Sequence, residues 1–141
     1  MDRAMLQPIV ALAAWTLVMW AWMLAVRMPA LRAAKIDLRS LTGGKGSDAD
    51  RVLPAKAQWP SHNYNHLLEQ PTAFYAVVVV LAITGGGGPL AVALAWAYVA
   101  LRVLHSLVQA TYNRVAHRFA LFVGSTLCLG ALTVLAATGV F

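Results

Sequence analysis

Two groups of polar side chains follow helical spacing inside otherwise apolar stretches of the chain. The first group falls at i, i+4 and i+7 and consists of His62, His66 and Glu69. The second group falls at i, i+3, i+7 and i+10 and consists of Arg102, His105, Gln109 and Tyr112. Residues three or four apart share one face of an α-helix, so each group predicts a polar face on an apolar helix.

The first face carries one carboxylate, Glu69, and the second face carries one guanidinium, Arg102. Four glycines at residues 85–88 separate the two segments, and such a short connection predicts antiparallel neighbouring helices. Because an unpaired charge inside a membrane is costly, we predict that Glu69 pairs with Arg102. Such a pair either fixes the register of the two helices or also orders a polar ligand pocket.

The spacing of the first group is also compatible with metal binding. Two histidines at i and i+4 present one face to a metal, and a carboxylate one turn later could complete the set. Histidines at the wet end of a membrane helix are commonly interfacial, however, and the single cysteine, Cys128, excludes a cysteine cluster. We therefore predict no metal site and keep a transporter or metal-binding membrane protein as the third hypothesis.

The composition identifies the environment of these helices. Hydrophobic residues make up 60% and charged residues 11% of the 141 residues, against roughly 45–50% and 25% in soluble domains. A soluble domain could not cover its surface with so few charges, whereas a protein in lipid need not do so. We predict an all-α integral membrane protein whose residues 1–141 form a single four-transmembrane-helix bundle.

Four apolar segments are long enough to cross a bilayer, at about residues 5–27, 61–84, 89–110 and 119–141. The first segment is too long and too rich in tryptophan for a cleaved signal peptide, which predicts a retained helix. Ser61 is the predicted N-cap of the second span, Pro71 its predicted kink, and Pro89 the predicted first residue of the third. Residues 28–60 are predicted to form a polar loop.

The distribution of charge predicts the orientation in the membrane. The chain from Arg27 to Lys56 carries seven Lys or Arg against three Asp, and Arg114 and Arg118 lie between the third and fourth spans. The positive-inside rule places both of these connections in the cytoplasm and both termini on the opposite side. Since these connections account for the net charge of +6, we predict no nucleic-acid partner.

Three stretches resemble the membrane-associated proteins in eicosanoid and glutathione metabolism, the MAPEG family. They are HNYNHLLEQPTAFY at residues 62–75, WAYVALRVLHSL at 96–107 and TYNRVAHRF at 111–119. The chain looks most like a bacterial branch of the family. The resemblance implies a four-helix membrane protein assembled as a homotrimer, with glutathione bound between subunits near the cytoplasmic face. It also implies conjugation of the glutathione thiol to lipophilic electrophiles, reduction of lipid hydroperoxides, or scaffolding without catalysis.

The resemblance also assigns roles to particular residues. Arg118 or Arg114 matches the arginine that contacts the thiol near the start of the fourth helix. The residues at the family's other glutathione-contacting positions, or beside them, are Arg27, His62, Asn65, His66, Glu69, Arg102, His105 and Gln109. Several of these depart from the family pattern, since His62 and Asn65 stand where arginines are usual and His66 replaces an asparagine.

The leading hypothesis is therefore a homotrimeric, multi-pass protein of a bacterial inner membrane with both termini in the periplasm and a pocket facing the cytoplasm. It would use glutathione as a co-substrate in a transferase or peroxidase reaction with a lipophilic small molecule that arrives through membrane lipid. The alternative is a non-catalytic lipid-binding or scaffolding trimer, because each lost arginine removes roughly 1.5–3 kcal/mol of charge-assisted hydrogen bonding to an anionic ligand.

Overall fold

The computed structural model describes residues 2–141, and every regular element in this range is helical. In chain order they are α1 (Arg3–Ala33), a short 3-10 helix (Gly46–Arg51), α2 (Ala55–Leu67), α3 (Pro71–Thr84), α4 (Pro89–Ala110) and α5 (Val115–Val140). Four helical stretches are long and apolar enough to cross a membrane: α1, α2 together with α3, α4, and α5. The predicted all-α class with four membrane-capable helices is confirmed. Residue 1 of the predicted 1–141 domain lies outside the described residues.

Helix α1 is longer than the apolar segment that predicted it. Its first turn is capped by Asp2, whose carboxylate accepts a hydrogen bond from the Ala4 amide over 2.9 Å. The helix then continues to Ala33, one full turn and more beyond Arg27. Its buried side chains Met5, Leu12 and Met19 recur every seven residues and form a narrow stripe. That stripe faces the other helices, while residues such as Val10 and Leu17 of α1 face outward.

The second span is two helices rather than one kinked helix. Helix α2 begins at Ala55, so Ser61 lies inside it and does not cap it. Helix α3 begins at Pro71, and residues 68–70 form a turn between the two. Proline lacks an amide hydrogen and its ring clashes with the preceding turn, which explains why the helix stops here. This turn changes the direction in which the residues just before Pro71 point.

The helices form a bundle in which α3 and α4 lie between α1 and α5. Helix α1 contacts α2, α3 and α4, whereas α5 contacts α3 and α4. In the interior Phe74 of α3 stacks on Tyr98 of α4, with ring centroids 4.2 Å apart. A Cβ placed on Gly124 of α5 would lie 3.4 Å from the Leu101 side chain of α4. Small residues of this kind let membrane helices approach closely.

The two ends of the bundle differ in chemical character. At one end the Asp2 amide donates to the Ala82 carbonyl over 3.1 Å, and Gly139 lies beside Thr84, so both termini adjoin the glycine turn. The basic connections at residues 34–54 and 111–114 lie at the other end. Along the sides, large apolar residues such as Leu17 and Leu127 are 68% and 69% exposed. Such a surface suits lipid, as expected for a multi-pass membrane protein.

Candidate functional site

Arg102 is the centre of a buried polar cluster between α2, α3 and α4. Its side chain is completely buried, and its Nε donates to the Tyr98 hydroxyl over 3.2 Å. One terminal nitrogen bonds Nδ1 of His66 over 3.2 Å, and the other donates to the Gln70 amide oxygen. The guanidinium also lies 5.4 Å from the centre of the Phe122 ring. Each nitrogen of this buried cation therefore has a partner.

The predicted pair of Glu69 with Arg102 is wrong. Glu69 is exposed, and among residues 2–141 it makes no ion pair within 4 Å. The prediction assumed one continuous helix through residue 70, but Glu69 lies in the turn that precedes Pro71. The turn brings Gln70 to Arg102 in its place, and the Gln70 amide nitrogen donates onward to Thr126 of α5 over 2.8 Å. A neutral amide thus joins three helices where a carboxylate was expected.

Two histidines of the predicted faces do meet. The rings of His66 and His105 stack with centroids 5.0 Å apart and planes 15° from parallel. Phe122 of α5 meets His66 edge to face at 5.6 Å. His66 is half-buried and His105 is buried. The antiparallel arrangement of α2 and α4 therefore brings the two predicted polar faces together through their histidines.

A cavity of about 210 Å³ opens beside this histidine stack. It is lined by His66, His105, Val115, Arg118, Phe119 and Phe122. One Arg118 terminal nitrogen donates to the Asn113 side-chain oxygen over 2.5 Å, whereas the buried Nε of Arg118 has no partner in residues 2–141. The cavity therefore combines one incompletely bonded cation and two imidazoles with walls of apolar side chains.

Arg114 lies outside this cavity. It is exposed and occupies the N-cap position of α5, one turn before Arg118. The sequence left open which of the two arginines would contact a thiol. The geometry separates them, because only Arg118 lines the cavity among these two.

Other predicted site residues belong to a second polar cluster beneath the loop. Arg27 donates to the Ser61 hydroxyl over 2.9 Å and to the Gly46 carbonyl, and His62 lies 3.0 Å from the Asp50 carboxylate. These contacts fasten the loop to α1 and α2. None of these side chains lines the cavity.

Two further predicted site residues belong neither to the cavity nor to the second polar cluster. Asn65 is exposed on α2. Gln109 is buried on α4, and its side-chain oxygen has no partner among the described residues. Buried Asn63, which the sequence did not single out, is in the same condition with both amide atoms. Helix α2 and the last turns of α4 thus hold more buried polar groups than the described residues satisfy.

Five residues of the site were not predicted from the sequence: Gln70, Tyr98, Val115, Phe119 and Phe122. Tyr98 precedes Arg102 by four residues and Phe122 follows Arg118 by four, so the same helical spacing could have found both. Gln70 could be found only by knowing that Pro71 ends the helix and turns the preceding residue inward. Across residues 2–141, no three His, Cys, Asp or Glu side chains lie close enough together to hold a metal ion.

Comparison with known proteins gives one match. The model of the MAPEG family matches residues 5–138, which is nearly the whole chain. A search of curated proteins and a search of solved structures each return no match. The matched range contains all five helices except the ends of α1 and α5, and it contains every residue of the cavity.

Proposed function

Because this chain belongs to the MAPEG family, we propose that it is a membrane enzyme that uses glutathione as a co-substrate. The reaction is the transfer of the thiol to a lipophilic electrophile or the reduction of a lipid hydroperoxide. Family membership supports glutathione-related chemistry in a membrane, and the geometry of the cavity supports the choice of reacting residues.

The observation that carries the proposal is the position of Arg118. The Arg118 side chain lines a cavity whose other walls include Phe119 and Phe122, and only one of its terminal nitrogens bonds a protein group, the Asn113 side chain. Its guanidinium therefore brings a positive charge to the cavity, and a positive charge beside the sulfur favours the thiolate over the thiol. The apolar walls suit a lipophilic second substrate.

The chemistry asked of Arg118 is stabilisation of the thiolate. The thiolate, not the thiol, is the nucleophile, and a guanidinium beside the sulfur favours the charged form. No protein cysteine takes part, since Cys128 lies on α5 and does not line the cavity. His66 and His105 line the same cavity. The other glutathione contacts carried over from the family resemblance stay predictions.

The size of the cavity supports an assembled site. A volume of about 210 Å³ lies below the roughly 300–1,000 Å³ of common ligand pockets. The cavity therefore accepts the cysteinyl end of glutathione, and the rest of the tripeptide lies against another surface. We propose that a second copy in a homotrimer supplies it, in a bacterial inner membrane with periplasmic termini and the cavity toward the cytoplasm. The basic connections at that end support this orientation.

The test measures bound thiolate directly. Purified protein in detergent is titrated with glutathione, and the ultraviolet absorbance of the thiolate is followed together with the binding heat. We expect binding that weakens with salt and disappears in Arg118→Ala. Arg114→Ala is the matched control, because it removes the same charge one turn away without touching the cavity. No thiolate signal at millimolar glutathione, or an equal loss in both variants, would contradict the proposal.

A second function, a non-catalytic lipid-binding or scaffolding trimer, is favoured by a different observation. Arg102 and Arg27, which the family resemblance assigns to glutathione, bond to protein groups in this arrangement. This function predicts lipid that copurifies with the protein and no activity that depends on a thiol. Mass spectrometry of the purified protein, before and after addition of glutathione, distinguishes the two functions.

A further inference from the structure

The hydrogen bond between Arg102 and His66 fixes which nitrogen of the imidazole carries the proton. A guanidinium only donates, so Nδ1 of His66, 3.2 Å from the Arg102 nitrogen, must accept. A neutral imidazole that accepts at Nδ1 carries its hydrogen on Nε2. A proton on both nitrogens would instead place two donors face to face, beside a cation that is completely buried.

The Nε2–H of His66 is a donor that the protein does not use. Within residues 2–141 the Nε2–H makes no hydrogen bond. The Nε2 atom is also not one of the fully buried polar atoms that lack a partner. The ring lines the cavity together with Arg118, and the stack with His105 and the edge contact with Phe122 hold its plane. A fixed, unused donor therefore shares the cavity with the guanidinium.

We propose that His66 donates this hydrogen bond to the oxygen on which charge develops in the second substrate, and so selects oxygen-centred electrophiles. This inference rests on the proposed glutathione chemistry, and it assigns Arg118 and His66 different ligand atoms. Arg118 holds the sulfur, whereas His66 holds the oxygen that receives electrons. Hydroperoxides and epoxides are the substrate classes that such an arrangement favours.

For a hydroperoxide the step balances as follows. The thiolate sulfur attacks the terminal oxygen, an S–O bond forms, the O–O bond breaks, and its electron pair stays on the alkoxide oxygen. His66 donates a hydrogen bond to that oxygen while water supplies the proton that makes the alcohol. A second glutathione thiol then reduces the sulfenic acid, giving the disulfide and water. A neutral imidazole can stabilise an oxyanion in this manner without becoming charged beforehand.

The test compares two electrophiles in one set of variants. Cumene hydroperoxide places charge on oxygen, whereas benzyl chloride releases a halide that needs no hydrogen bond from His66. For His66→Leu we expect kcat/KM toward the hydroperoxide to fall on the order of a hundredfold, as for loss of one preorganised donor. Turnover of benzyl chloride should fall much less, so the ratio of the two kcat/KM values changes, which a merely structural role of His66 would not produce. His66→Gln, which restores an N–H near the same place, should recover most of the loss.

The control is His117→Gln, since His117 is exposed, bonds the Tyr112 hydroxyl and does not line the cavity. An intact thiolate signal with equal effects on both electrophiles, or with no effect on either, would overturn the role of His66. Absence of the thiolate signal in the unchanged protein would instead refute the proposed function. If His66→Leu does not fold, nitrogen NMR of histidine-labelled protein decides, because a proton on Nδ1 of His66 contradicts the inference and one on Nε2 alone supports it.

Discussion

Two arginines near the Phe122 ring have opposite hydrogen-bonding states. Arg102 is completely buried, and each of its nitrogens has a protein partner on α2, α4 or the turn before α3. Arg118 is half-buried at the edge of the cavity, and its Nε lacks a partner. A buried cation in which every nitrogen has a protein partner holds helices together, whereas a cation that lines a cavity and bonds the protein through only one terminal nitrogen is suited to a ligand. The comparison therefore separates a region that holds the helices together from the cavity in which we propose that the reaction takes place.

The largest effect should follow from removing Arg102. Arg102→Ala leaves His66, Gln70 and Tyr98 without their buried partner and opens a cavity, so we expect a loss of about 3–5 kcal/mol in stability. Denaturant titration in mixed micelles measures it. Arg118→Ala should cost less than half as much. Equal losses in the two variants would show that the two arginines do not differ in role.

Phe122 tests whether the two regions are coupled. It lies beside the Arg102 guanidinium, contacts His66 edge to face and lines the cavity. Because the ring is only half-buried, Phe122→Ala should cost about 2 kcal/mol, below the range for a fully buried phenylalanine. The wider cavity should also accept a bulkier electrophile. Phe119→Ala, a more exposed cavity residue, is the control and should change substrate size preference with little change in stability.

Asn113 tests how Arg118 is held. Its backbone has a positive φ of 53°, and its side chain accepts the hydrogen bond from Arg118. Asn113→Gly keeps the backbone and removes the contact, so KM for glutathione should rise by roughly three- to tenfold with little change in stability. Asn113→Ala adds backbone strain and should cost about 1 kcal/mol more. If both variants keep the original KM, the Asn113 contact does not position Arg118.

The sequence predicted the bundle well because its signals are local. The length of each apolar segment predicts a span, and the glycines at residues 85–88 and Pro89 mark where one helix ends and the next begins. Helical spacing placed His66 and His105 on faces that meet in the structure. The predicted pairing of Glu69 with Arg102 was wrong because the helix break at Pro71 changes the orientation of the residues before it. Helical periodicity cannot be extended across such a break. Helical spacing also could not separate Arg114 from Arg118, because residues four apart share one face of a helix. In the structure Arg114 lies at the N-cap of α5, whereas Arg118 lies one turn inside the helix and lines the cavity.

The smallest effect should follow from weakening the second polar cluster beneath the loop. This change tests whether that cluster belongs to the site. The side chains of His62 and Asp50 are 45% and 40% exposed, so Asp50→Asn should cost no more than about 1 kcal/mol. We expect faster cleavage of the loop by added protease and unchanged glutathione affinity, because neither residue lines the cavity. Asp37→Asn is the matched control, since that carboxylate bonds only within its own turn. A clear loss of glutathione binding in Asp50→Asn alone would mean that His62 acts on the ligand after all. The reactive region would then extend beneath the loop, as the family resemblance first implied.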